Sequence, residues 1–197
     1  MNLKLLVIPV IASLSLSFAH AQSGQGGQGG MQGGSQGSMQ AQGTQTSNLT
    51  QEEVAEILKT ANDAEIDMAQ AAKRRAENKE VKEFAKHMEE QHKENNKEAK
   101  KVTKKADIDM KNNDTAKSLK KDSKDRLAEL KKKKGADFDK AYIESQVQMH
   151  EMVLRDLNEK FIPAAQNPEF KAFLETTKSH VQEHLSKAQQ IQQTLNQ

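Results

Sequence analysis

From Thr50 onward, apolar residues recur at alternating steps of four and three, the spacing that keeps one stripe facing inward on a helix packed in a bundle. The first stripe reads Val54, Leu58, Ala61, Glu65, Met68, Ala72, and the second Val81, Ala85, Met88, His92, Asn95, Ala99, Val102, Ala106. The third reads Ile143, Val147, His150, Leu154, Leu157, Phe161, and the fourth Phe170, Leu174, Thr177, Val181, His184, Ala188, Ile191, Leu195. Thr50 and Glu53 form a capping box, flanked by Leu49 and Val54 where a hydrophobic staple packs, so the first helix opens there and runs to about Ala76. Asn78 caps a second helix from Lys79 to about Ala106, and Asn167 with Pro168 opens a last one that reaches about Leu195. Between them lie a polar connector, Asp107 to Asp114, a basic helical piece from Thr115 to Lys134 that Gly135 stops, and a third main helix from Ala136 to about Phe161. The short turns make two antiparallel hairpins. The expected fold is therefore all-α: an antiparallel four-helix bundle with an extra short basic helix between the second and third main helices.

Upstream of Thr50 the pattern vanishes. Residues 1–21 read as a signal peptide: Lys4, an apolar run from Leu5 to Phe18, then Ala19-His20-Ala21 as the small-x-small cleavage pattern. That run is short for a membrane span, and no later segment is apolar enough to cross a bilayer, so the expectation is an exported chain cleaved near Ala21. Its location would be periplasmic, outer-membrane-associated or extracellular. Residues 22–48 hold nine of the ten glycines among Gln and Ser, and cannot bury enough apolar surface to offset their ordering. They read as a tether before a helical domain at 49–197, with Met31 and Met39 incidental.

Composition sharpens this. There is no Cys and no Trp, so thiol chemistry, disulfides and thiolate metal sites are excluded. Thirty basic side chains against 28 acidic ones give a net charge of +2, and one Tyr with six Phe leaves little for base stacking, so no nucleic-acid partner is expected. Charge is uneven, however: from Lys97 to Lys134 there are 15 Lys or Arg against seven Asp or Glu. That segment is a solvated face or, in its Lys117–Lys134 part, a contact for an anionic envelope surface. No Ser-His-Asp order, phosphate loop or nucleotide turn is present, which leaves hydrolase and kinase readings without support.

The chemistry lies where each stripe is broken. Glu65, His92, His150 and His184 interrupt the four stripes near their middles. Glu65 lies 12 residues before the turn at Glu77 and His92 lies 15 after it; at about 1.5 Å per residue they are level to within roughly 5 Å. In the second hairpin, His180 matches His150 in height and His184 matches it in facing, and both lie on one helix face at the i, i+4 spacing that lets two imidazoles share an ion. Glu89 precedes His92 by three, the carboxylate–imidazole step of bundle-core metal sites. A buried Glu needs a proton, a partner or a cation. Candidate metal ligands are accordingly Glu65, His92, His150 and His184, then Glu89 and His180, with iron, zinc or manganese as the ion. A metal-free Glu–His network that fixes helix register is the other reading. Met88, Met149 and Met152 suit core filling, and His87, off the stripe, suits the surface. An enzyme using dioxygen or peroxide at the site would further need open coordination positions.

The runs Ala64-Glu65-Ile66, Val81-Lys82-Glu83-Phe84-Ala85-Lys86-His87-Met88 with Gln91-His92, Phe138-Asp139-Lys140-Ala141-Tyr142 with His150, and Phe170-Lys171-Ala172-Phe173 with Glu183-His184-Leu185 resemble the domain of unknown function 4142 family over about residues 50–195. The resemblance implies a ferritin-like bundle in bacterial envelope proteins, with recurrent polar positions at Glu65, His92, His150 and His184. Gln91 stands where many relatives carry an Asp. The third helix presents His150, and the fourth has His180-x-x-Glu183-His184 in place of the E-x-x-H of di-iron bundles, so a ferroxidase activity does not carry over.

Overall fold

A computed structural model describes residues 49–197; the leader at 1–21 and the tract at 22–48, with Met31 and Met39, lie outside the described residues. The described chain is all-α. It comprises α1 (Gln51–Arg75), α2 (Lys79–Lys105), α3 (Asp114–Lys132), α4 (Gly135–Asp156), a π-helical turn (Leu157–Phe161), a single α-turn α5 (Ile162–Ala164) and α6 (Pro168–Leu195). Among the described helices none is long and apolar enough to cross a membrane.

Local chemistry sets each start. Thr50 and Glu53 cap one another reciprocally, Glu53 N–H to Thr50 Oγ1 at 3.3 Å and Thr50 N–H to Glu53 Oε2 at 3.0 Å. Asn78, Asn113 and Asn167 each accept from the first backbone N–H groups of α2, α3 and α6. The end of α2 is a Schellman turn: Ile108 N–H reaches back to Thr103 C=O, and Asp107 takes the left-handed φ of 55° that glycine usually fills. Buried Ile108 seals that turn. The basic helix expected before Gly135 is present but ends earlier, at Lys132. Gly135, with φ 55°, is the first residue of α4 instead of the stop of α3; Lys133 and Lys134 are extended, and the positive φ bends the chain into the new helix. Near the other end of that hairpin arm, Pro163 lacks an N–H and its ring opposes the carbonyl four residues back, and the preceding turn widens to π geometry, Ile162 N–H bonding Leu157 C=O.

The chain pairs α1 with α2 and α4 with α6 as hairpins, packs α2 on α6, and lays α3 along α1. At one end Lys111 N–H and the Asn113 amide bond the carbonyls of Glu52 and Glu53. At the other, the Arg75 guanidinium donates to the carbonyls of Lys131 and Lys133. Helix α3 thus returns the chain along the full length of α1, so that α4 begins beside the α1–α2 turn and runs in the same direction as α2. Asp139, buried in the first turn of α4, fixes that junction: its carboxylate accepts from Asn78 N–H at 2.7 Å and Glu77 N–H at 3.2 Å.

The apolar core is two clusters. One gathers Met68, Met88, Phe84, Phe138, Tyr142, Ile143 and Ile191 toward the α1–α2 turn. The other gathers Leu58, Val54, Leu157, Phe161, Phe170, Leu174 and Val181 toward the α4–α6 turn. Met88 and Met149 are buried packing residues and Met152 is half-buried. A polar layer separates the two clusters, and every stripe crosses it.

Asp139→Ala leaves the turn N–H groups without their acceptor in a buried setting, and is expected to cost about 2–3 kcal/mol. A urea-unfolding midpoint reads this, and Asp139→Asn, which keeps one acceptor oxygen, should recover part of the loss.

Candidate metal centre

His92 from α2, His150 from α4 and His184 from α6 meet in the polar layer, all three buried, each offering one ring nitrogen, and these nitrogens lie within 4.8 Å of one another. Ring centroids are 5.9 Å apart for His92 and His150, 5.4 Å for His92 and His184, and 5.3 Å for His150 and His184. The helical stripe brings each histidine inward; the two hairpins set them level.

Hydrogen bonds determine which nitrogen of two rings is free. Asn62, buried on α1, donates through Nδ2 to Asn95 Oδ1 at 2.8 Å and Asn96 Oδ1 at 2.9 Å, so its Oδ1 is left to accept from His92 Nδ1–H at 2.9 Å. Asn95 in turn donates to Thr177 Oγ1 at 2.9 Å, and Asn96 donates to Asp63 at 2.8 Å. His150 Nδ1–H donates to the carbonyl of Gln146 at 2.9 Å. With Nδ1 carrying the proton on both rings, each Nε2 presents a lone pair. Those two Nε2 atoms and His184 Nδ1 are buried with no hydrogen-bond partner among the described residues. Buried polar atoms without partners are costly. Three histidines from three helices, each offering a ring nitrogen within 4.8 Å of the others, form a donor set that could hold a metal ion, and four-coordinate zinc takes imidazole nitrogens at about 2.0–2.1 Å.

Electrostatics favour the neutral ring at His92 and at His184. Burial, followed by the neighbouring imidazoles of His150, His184 and His87, pushes His92 well below its ordinary value. Burial, then His150, His87 and His180, brings His184 down to about 3. Neutral imidazole is the form that ligates.

The remaining sequence candidates occupy other places. Glu65 is buried on α1, its Oε2 accepting from Gln146 Nε2 at 2.8 Å and its Oε1 4.0 Å from His150 Nδ1, so it stands behind that ring and outside the three-histidine cluster. Burial pushes its carboxyl up, while His150 and the Gln146 amide pull the other way. Tyr142, buried beside it, is pushed well above the usual phenol range by burial and then by the Glu65 charge. Glu89 is buried but bonded away from the cluster, where Lys73 and Lys93 hold it at about 2. His180 is half-buried one turn before His184, and it is His184 that joins the cluster. His87 is exposed, yet its ring lies edge-on to that of His184 with centroids 5.7 Å apart.

Sequence reasoning passed over Asn62 and Gln146. Both had a readable signal: Asn62 is a poor helix former three residues before Glu65 on the inward face, and Gln146 lies one turn before His150.

An all-α bundle carrying a buried three-histidine cluster is thus the class that fold and site define. The family model described as Domain of unknown function (DUF4142) matches residues 36–191, and the chain belongs to that family. No curated protein and no solved structure matches it.

An imidazole kept neutral in the folded chain but protonated in the unfolded one makes the unfolded state bind more protons, so stability falls as pH drops. For His184 that window runs from its ordinary 6.5 down to about 3, with a slope of at most about 1.4 kcal/mol per pH unit. Glu89 adds loss as pH falls from 4.5 toward 2, and Glu65, its carboxyl raised, works the opposite way above 4.5. The urea midpoint of chelator-treated protein is therefore expected to decline below pH 6.5, and to decline less steeply in His184→Gln.

Proposed function

We propose that this protein binds a transition-metal ion through His92, His150 and His184 in the core of a ferritin-like four-helix bundle. The observation that carries the reading is the convergence of three buried, partnerless imidazole nitrogens, two of them with the lone pair set by Asn62 and by the Gln146 carbonyl. Three imidazoles with no carboxylate among them favour zinc or iron over manganese, which prefers oxygen donors. Glu65 stands behind His150, its Oε1 4.0 Å from Nδ1, close enough to offset part of a bound cation's charge when ionised, while the Gln146 carbonyl orients the ring. Three protein ligands leave a fourth coordination position, which suits binding of a small molecule as well as storage of the ion. Glu89, held by two lysines, and His180, off the cluster, stand outside the ligand set. The leader-like residues 1–21 support an exported location, with residues 22–48 as a tether.

A second reading keeps the polar layer purely structural and assigns the function to the basic face. Lys131, Lys133 and Lys134 are exposed at one end of α3 with no carboxylate partner among the described residues, next to exposed Arg74 and Arg75. Such a cluster suits an anionic envelope surface. Cosedimentation with vesicles containing phosphatidylglycerol should then fall steeply between 50 and 300 mM salt, on the order of the Debye screening change, and fall equally when Lys131, Lys133 and Lys134 are changed to Gln.

For the metal reading, the protein purified without an affinity tag or chelator should hold near-stoichiometric zinc or iron by elemental analysis, and the double variant His92→Ala/His184→Ala should hold none. Asn62→Ala, checked for retained helicity, should bind the same ion about 10–100-fold more weakly, the usual effect of removing the partner that orients a ligating ring. Full metal retention in the double variant would remove this site from consideration.

A further inference from the structure

The three-histidine cluster is closed off by helices, and an ion that reaches it must shed its water and pass between two of them. One exposed side chain touches the cluster. His87 lies on α2, five residues before His92, off the inward stripe and exposed to solvent. Its ring is set at 87° to that of His184, with centroids 5.7 Å apart, and His184 in turn lies 5.4 Å from His92 and 5.3 Å from His150. Imidazoles are thus continuous from the solvent, across the α2–α6 packing surface, to the buried cluster.

The other polar groups near the layer are engaged. Glu89 is bonded by Lys73, Lys93 and Gln70. Asp63 is bonded by Lys59 and Asn96. His180, on α6, makes no ring contact with the cluster among the described residues, whereas His87 does. His87 is exposed, so its imidazole can replace one water on an incoming ion, and its ring lies against that of His184, which already belongs to the cluster. Transfer from one ligand to the next replaces waters singly and never strands a bare cation against apolar surface.

We propose that His87 is the admission ligand of this centre: it captures a divalent transition-metal ion at the surface between α2 and α6 and passes it to His184, from which it reaches His92 and His150. The inference rests on the metal reading above and adds a route and a direction to it. His87 acts on the rate of exchange, and the buried trio sets the final occupancy.

Cobalt(II) is the probe, because its visible absorption reports imidazole coordination directly. Apo-protein of the full chain is mixed with Co(II) in stopped flow, and the loaded protein is then mixed with excess EDTA. In His87→Ala the final cobalt stoichiometry should equal that of the wild type, while loading and EDTA release both slow several-fold. His180→Ala, a histidine on the neighbouring helix without the ring contact, should match the wild type in both rates. Wild-type rates in His87→Ala, or equal slowing in His180→Ala, would overturn the route while leaving the centre intact. A wild-type chain that takes up no cobalt overturns the centre itself, and the route with it.

Discussion

Everything in this molecule is arranged around one buried polar layer that has to be kept uncharged or be given a cation. Three imidazoles share it with Glu65, Asn62, Gln146 and Thr177, between two apolar clusters. A single stray polar group at that depth would cost several kcal/mol. The layer tolerates the cost because most of its members bond one another: Asn62 to His92, Asn95 and Asn96, Asn95 to Thr177, Gln146 to Glu65 and, through its carbonyl, His150. What is left over there includes one nitrogen on each of three rings, together with Gln146 Oε1 and the Tyr142 hydroxyl beside Glu65.

The path of the chain follows from that requirement. A cluster fed by α2, α4 and α6 needs the second hairpin to meet the first at a fixed height. Helix α3 supplies the height by returning along α1 before α4 begins, and Asp139 pins the start of α4 to the α1–α2 turn. The π turn before Pro163 lies in the lower apolar cluster, beyond His150, so the distortion the proline imposes is taken up where only packing is at stake. Surface lysines make mostly exposed pairs, such as Lys121 with Asp125, whose attraction water and salt largely screen. They leave the specificity of the bundle to the layer.

The chemistry of the layer separates this chain from carboxylate-rich bundle sites. The carboxylate that the inward stripe delivers, Glu65, stands behind His150, and the E-x-x-H carboxylate, Glu89, is paired with two half-exposed lysines. Nitrogen donors alone face the centre, and membership of the Domain of unknown function (DUF4142) family places that donor set in a fold family without constraining the reaction.

The stripe spacing, the capping box at Thr50, the Asn caps and the turn lengths made the helices legible with boundaries accurate to about a turn, because these are local interactions that the sequence itself encodes. The same periodicity placed His92, His150 and His184 on inward faces and at similar heights. It could not choose between His180 and His184, since one turn of helix moves a residue about 5 Å along the axis and the shape of the α4–α6 turn, set by Pro163 and the π geometry, decides which one is level. It could not show that Glu65 stands behind His150, nor that Gly135 opens α4 instead of closing α3. Nor did it reveal that His87, an exposed residue by every local sign, touches His184. Each of these depends on how side chains of different helices approach one another, which is a property of packing. Sequence determined the helices, their inward faces and the four ionisable interruptions; tertiary structure alone decided which nitrogens converge, which are bonded away, and which are left free to bind.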